Sequence, residues 1–152
     1  MRFLADEMLG TLARWLRLIG QDTLYIKGEE DGRLAEIALA EDRVLLTRDR
    51  ALAARCPRSM LLSSMEPMEQ LRQVIKGTGI VPDESATRCT RCNGELMRVD
   101  RASVASEVPE GSLRTYDEFF RCSECGTVYW RGSHWDDIRR RLKSITNGGS
   151  SP

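Results

Sequence analysis

Two Cys-x-x-Cys pairs constrain this chain more than any other feature: Cys89-Thr90-Arg91-Cys92 and Cys122-Ser123-Glu124-Cys125, separated by residues 93–121. Two residues between thiolates let a tight turn aim both sulfurs at one tetrahedral ion, and two such pairs complete its shell. Asn93-Gly94 and Gly126 follow the pairs and supply the positive-φ positions that such turns favour. The fifth cysteine, Cys56, stands far off in the first half and reads as a small, buried, inert thiol. The spacing predicts a structural zinc on Cys89, Cys92, Cys122 and Cys125, with no coordination position left for catalysis. Two disulfides or a redox-active pair compete with that reading. A cytoplasmic location weighs against the first, and the matched glycine-bearing turns weigh against the second.

That location is itself an expectation. The segment MRFLADEML acquires two acids by residue 7, so it lacks the apolar stretch of a secretory signal. No run approaches the ~20 apolar residues of a membrane span, which predicts a cytoplasmic protein without a membrane partner. The 23 basic and 23 acidic residues of the 152 cancel, so bulk charge does not announce a nucleic-acid partner; local patches would have to hold one. Of the basic residues, all but Lys27, Lys76 and Lys143 are Arg. Arg forks suit phosphate oxygens, though an Arg-rich proteome is the plainer account of the bias.

Cysteine use divides the chain into halves. The segment 77–85, Gly-Thr-Gly-Ile-Val-Pro-Asp-Glu-Ser, reads as a linker. The expected organisation is an α/β domain over 1–80, a zinc ribbon over 81–145 and a disordered tail over 146–152. In the first half, short apolar strands at 2–5, 23–26, 43–47 and 60–62 alternate with helical spacing at 8–19, 32–42, 50–55 and 67–76. Gly20 stops the first helix, and the unbroken run Val44-Leu45-Leu46 fits a strand buried on both faces. Strict alternation of strand and helix implies a small parallel sheet.

Ligands bind such sheets beyond the carboxyl ends of the strands. Asp6 falls just past the first strand and Asp49 just past the third, while Glu36 lies on the helix leading into the third. Carboxylates gathered there repel one another unless a hard dication intervenes, and Mg²⁺ or Mn²⁺ is the natural occupant. Such an ion polarises a phosphodiester and acidifies an attacking water. The plainer account is that Asp6 and Asp49 cap helices and that Glu36 is solvated surface. Asp22, Glu29, Glu30 and Asp31 are further candidates, equally readable as loop acids. Arg14 and Arg17, three apart on one helix, and Arg48 beside Asp49 could meet an RNA backbone near these acids, or pair with Glu7 or Asp22 at the surface.

The ordered set Phe3-Leu4-Ala5-Asp6-Glu7-Met8-Leu9-Gly10, Leu12-Ala13-Arg14-Trp15-Leu16-Arg17, Gly20-Gln21-Asp22-Thr23 and Val44-Leu45-Leu46-Thr47-Arg48-Asp49-Arg50 resembles the PIN-like ribonuclease module at the C-terminus of the Mut-seven exonuclease family. The likeness extends to a terminal zinc ribbon ending in Tyr129-Trp130-Arg131-Gly132-Ser133-His134-Trp135. It implies a PIN-like fold and a metal-dependent ribonuclease, with Asp6, Asp49 and Glu36 in the acid site. It also implies a fourth acid after the fourth strand, where Ser63-Ser64 stand instead, with Glu66 next.

The ribbon adds Trp130, Trp135 and the basic run Arg139-Arg140-Arg141-Lys143. Aromatics stack on unpaired bases, but in a small domain they are more often needed for burial. His134, the only histidine, is a candidate proton shuttle. The leading expectation is an RNA-hydrolysing enzyme. A non-catalytic RNA- or ribosome-binding adaptor is the main rival, and a protein-interaction module the third.

Overall fold

The computed structural model describes residues 1–148. It divides into two compact units, Met1–Asn93 and Gly94–Pro152. Of the segment read as a tail, 146–148 close the last helix, and 149–152 lie outside the described residues.

The first unit alternates β1 (Arg2–Ala5), α1 (Gly10–Leu18), β2 (Asp22–Tyr25), α2 (Asp31–Ala40), β3 (Val44–Thr47), α3 (Arg50–Arg55), β4 (Ser59–Leu61) and α4 (Pro67–Thr78). All four strands are parallel, in the order β2-β1-β3-β4. The chain therefore leaves β1 on one side to build β2, then returns on the other side for β3. The seam between β1 and β3 is the point where the winding reverses, and there the loops at the carboxyl ends part to leave a crevice.

Packing follows from strand alternation. Leu4 and Leu45 pair in register and share a buried cluster with Leu34 and Ala38 of α2, Leu52 of α3, and Cys56. Their neighbours Phe3, Ala5 and Leu46 are fully buried as well and, by alternation, serve the opposite face, where α1 packs on α4. The Cys56 Sγ is a weak donor to the Arg58 carbonyl at 3.5 Å, so this thiol behaves as an inert core group. Gly20, at φ 92°, ends α1 with paired bonds: its N–H reaches the Arg17 carbonyl and the Gln21 N–H reaches Leu16. This is the left-handed stop that the sequence predicts.

The second unit is an antiparallel sheet of β5 (Leu96–Val99), β6 (Phe119–Cys122) and β7 (Val128–Trp130), with α5 (Glu110–Thr115) between β5 and β6 and α6 (Ser133–Gly148) last. Its core is Val104, Val108 and Phe119, against which Val99, Leu113, Tyr116, Val128 and Trp130 pack. Trp130 is thus partly buried against this core. Arg131 stacks over the rings of Phe120 and Trp135, and in the basic run Arg140 and Arg141 both pair with Asp137. Among the described residues, no helix is long and apolar enough to cross a membrane.

Candidate functional site

The four cysteines of the two pairs come together. One sulfur from each of Cys89, Cys92, Cys122 and Cys125 lies within 4.8 Å of the others, and none is in a disulfide. The turns have the expected form, with Asn93 at φ 73° and Gly126 at φ 78°. Asn93 N–H returns to the Cys89 carbonyl and Gly126 N–H to the Cys122 carbonyl. Backbone N–H groups of Glu124 and Cys125 point at the Cys122 sulfur at 3.4 and 3.5 Å. Four soft donors at this separation fit zinc and saturate it.

The first knuckle is fastened to the first unit's sheet at the amino ends of the strands. The Asn93 amide oxygen accepts the Thr23 N–H at 2.9 Å, and its NH₂ donates to Asp22 at 2.7 Å. Asp22 also accepts from Arg43, itself only 4% exposed, at 2.7 Å. Burial alone would raise the Asp22 carboxyl. The hydrogen bonds from Arg43 and Asn93, with the charges of Arg43 and Arg88, outweigh burial and hold it below the usual 3.8. A depressed carboxyl stabilises the fold at neutral pH and withdraws that stability as the pH falls below the unfolded value and through the folded one. Asp22→Asn is therefore expected to flatten the acid limb of the stability–pH curve below about pH 4. Urea midpoints between pH 3 and 7 would test this, and an acid limb as steep as the parent's would count against it.

At the other edge, Asp6 and Asp49 do meet at one cleft. Asp6 follows β1 and is 7% exposed. Its Oδ1 accepts the Met8 N–H at 3.0 Å, opening a short 3₁₀ turn, and its Oδ2 accepts the Thr47 hydroxyl at 2.6 Å. The same hydroxyl oxygen accepts the Asp49 N–H at 2.9 Å. Thr47, fully buried, thus clamps the two acid-bearing strand ends across the β1–β3 seam. Asp49 caps α3 through Oδ1, which accepts from Ala51 and Leu52. The caps foreseen as the plain reading are real, and among the described residues Asp49 Oδ2 has no hydrogen-bond donor.

The cleft holds about 410 Å³ and is lined by Asp6, Glu7, Met8, Ile26, Glu29, Asp31, Leu34, Arg48, Asp49 and Leu52. Five carboxylates face one guanidinium, a donor set of hard oxygens suited to Mg²⁺ or Mn²⁺. The Glu7 wall is held by the Tyr25 hydroxyl, which donates to the Glu7 carbonyl at 2.7 Å. Gly10 makes room for that phenol, since a Cβ there would sit 3.0 Å from its oxygen.

Other expected site residues lie elsewhere. Glu36 is exposed on α2 and paired with Arg33 at 3.2 Å, outside the cleft lining. Arg17, expected at a phosphate, is 6% exposed. Its guanidinium donates to the carbonyls of Thr23 and Thr90 at 2.9 and 2.8 Å, so it braces the first knuckle rather than meeting solvent. Arg14 is exposed on α1, away from the cleft lining. Arg48 alone of the three lines the cleft. No side chain from the loop after β4 does so; Ser63 bonds Gln73 instead. The further acids are Glu29 and Asp31, which the sequence reading held only as loop candidates, and Glu7. Thr47 carries no role in the sequence pattern, and Asn93 reads there only as a turn residue. A polar residue ending an apolar strand, two before the acid, was the available signal for Thr47.

The chain thus combines a parallel α/β unit, with two acids at its switch point, and four clustered cysteines able to hold a metal ion. The Mut7-C RNAse domain family model matches residues 1–142, and the chain belongs to that family. It is also 32% identical, over 232 aligned residues and 99% of its own length, to a human protein named exonuclease mut-7 homolog. The chain spans about a quarter (26%) of that relative. No solved structure matches the chain.

Proposed function

We propose that the chain is a divalent-cation-dependent ribonuclease that hydrolyses phosphodiester bonds in the β1–β3 cleft. One observation carries this reading in a chain of the Mut7-C RNAse domain family: Thr47 clamps Asp6 and Asp49 together at the mouth of a carboxylate-lined cleft. Asp6 and Asp49 would hold the cation, with Asp31 and Glu29 within the same lining. When bound, Mg²⁺ or Mn²⁺ supplies a polarised phosphoryl oxygen and an acidified water. Arg48 meets the phosphate, and the carboxylates left over orient and deprotonate the water. The four-thiolate zinc is structural, because its shell is full and its first knuckle is anchored at the opposite edge of the sheet from the acids. RNA is the partner, and the cytoplasm the proposed location.

Single-stranded RNA incubated with the protein is expected to be cut with Mg²⁺ or Mn²⁺ and left whole in EDTA, and a manganese soak should give an anomalous peak between Asp6 and Asp49. Tight RNA binding with no cation-dependent turnover would favour the adaptor reading. The clamp gives a sharper prediction. Thr47→Val keeps the shape but leaves a buried carboxylate oxygen and the Asp49 N–H without their partner, at about 1–3 kcal/mol of stability. Loss of orientation should lower cleavage by about 10–100-fold, and Thr47→Ser should restore it. Equal activity of the Val and Ser variants would remove the clamp from the account.

A further inference from the structure

The cleft has two kinds of wall, and catalysis by acids and cation uses only one. Leu34 (4% exposed) and Leu52 (2%) form an apolar floor continuous with the core cluster, and Ile26 packs on that cluster. Met8 stands at the rim, 76% exposed. A dication and a phosphodiester gain nothing from such surfaces; a ligand that also carries a flat, weakly polar ring does. Arg48 provides the complementary end. Its side chain lines the cleft among the acids, and a guanidinium fork suits phosphate oxygens. Met8 is also tied to the acids, since its N–H donates to Asp6.

We infer that the cleft contains a subsite for one nucleotide of an unpaired strand, its base laid on Met8 and Ile26 above Leu34 and Leu52 and its phosphate met by Arg48. The inference rests on the nuclease reading and names the part of the RNA that the apolar wall recognises. A base within a duplex has its faces covered by stacking, so the strand must be unpaired there. The thioether of methionine is a soft, adaptable surface that packs well on aromatic rings, so the subsite accepts any base.

Methyl-¹³C labelling of the six methionines gives a readout that needs no turnover. The Met8 signal is assigned by its loss in Met8→Leu. In Mg²⁺ buffer, adenosine 5′-monophosphate is expected to move the Met8 methyl upfield by ring current, and ribose 5-phosphate, which lacks the ring, is not. Met97, exposed in the second unit, serves as the unshifted control. Ile26→Ala should weaken the mononucleotide about fivefold and leave ribose 5-phosphate unchanged. A Met8 signal that stays still throughout the mononucleotide titration, or responds equally to the sugar phosphate, overturns the subsite. A responding Met8 in a protein that cuts no RNA would overturn hydrolysis and keep the subsite; a silent Met8 in an active enzyme would do the reverse.

Discussion

Asp49→Asn is expected to abolish RNA cleavage, by on the order of a thousandfold or more, while leaving the melting temperature unchanged. The two effects separate because Asp49 does two jobs with different atoms. Oδ1 caps α3 by accepting from Ala51 and Leu52, and Asn caps a helix as well as Asp does. Oδ2 and the negative charge are what the substitution removes. Asp49→Ala, in contrast, should also destabilise by about 1 kcal/mol through the lost cap. Asp6→Asn should be equally inactive but less innocent structurally. Its new NH₂ would face the Thr47 hydroxyl, which now donates to Oδ2 at 2.6 Å, leaving a buried donor to find another acceptor. Activity assays paired with thermal melts would decide. Parent-like cleavage by both Asn variants would exclude this cleft as the place of chemistry.

Metal removal is expected to unfold the second unit while the helices of the first persist. Residues 94–148 offer a three-stranded sheet around Val104, Val108 and Phe119, a small core for such a length. Zinc ligation in finger peptides is worth about 10–16 kcal/mol at neutral pH, enough to decide whether such a unit folds. Chelation or Cys92→Ser should therefore abolish its cooperative transition, followed through Trp130, and leave the helical circular dichroism of the first unit largely in place. Gly94→Ala should act in the same direction more mildly. A Cβ at that position would lie 2.7 Å from the Cys122 sulfur, so zinc affinity should fall, as measured by competition with a chromogenic chelator. Unchanged cooperative melting of metal-free protein would refute the structural role.

The parts of this molecule that were legible in sequence are those set by local chemistry. Gly20 ends α1 because a left-handed residue is needed there, and the Cys-x-x-Cys turns carry their own positive-φ residues. The acids at the strand ends could be placed because a parallel sheet sends them to one edge. Glu36 fails for a geometric reason. A helix between parallel strands runs back against them, so only its first turn lies at the carboxyl edge. Asp31 opens α2 there, and Glu36 lies roughly 7 Å further down the axis. Arg17 fails likewise, in the last turn of α1 and so at the amino edge. Its burial depends on Thr90, distant in sequence, which no local pattern announces. The same holds for Asn93, whose side chain answers to Asp22 and Thr23.

The acid cleft hangs on the loops at one end of four-residue strands, and the Asn93–Asp22–Arg43 lock closes the other end, roughly 13 Å away. Groups that far apart with no shared partner should make independent contributions to stability. Substitutions at the two ends can therefore be combined freely: reshaping the cleft loops to accept a different strand should leave the tolerance of the lock to acid unaltered.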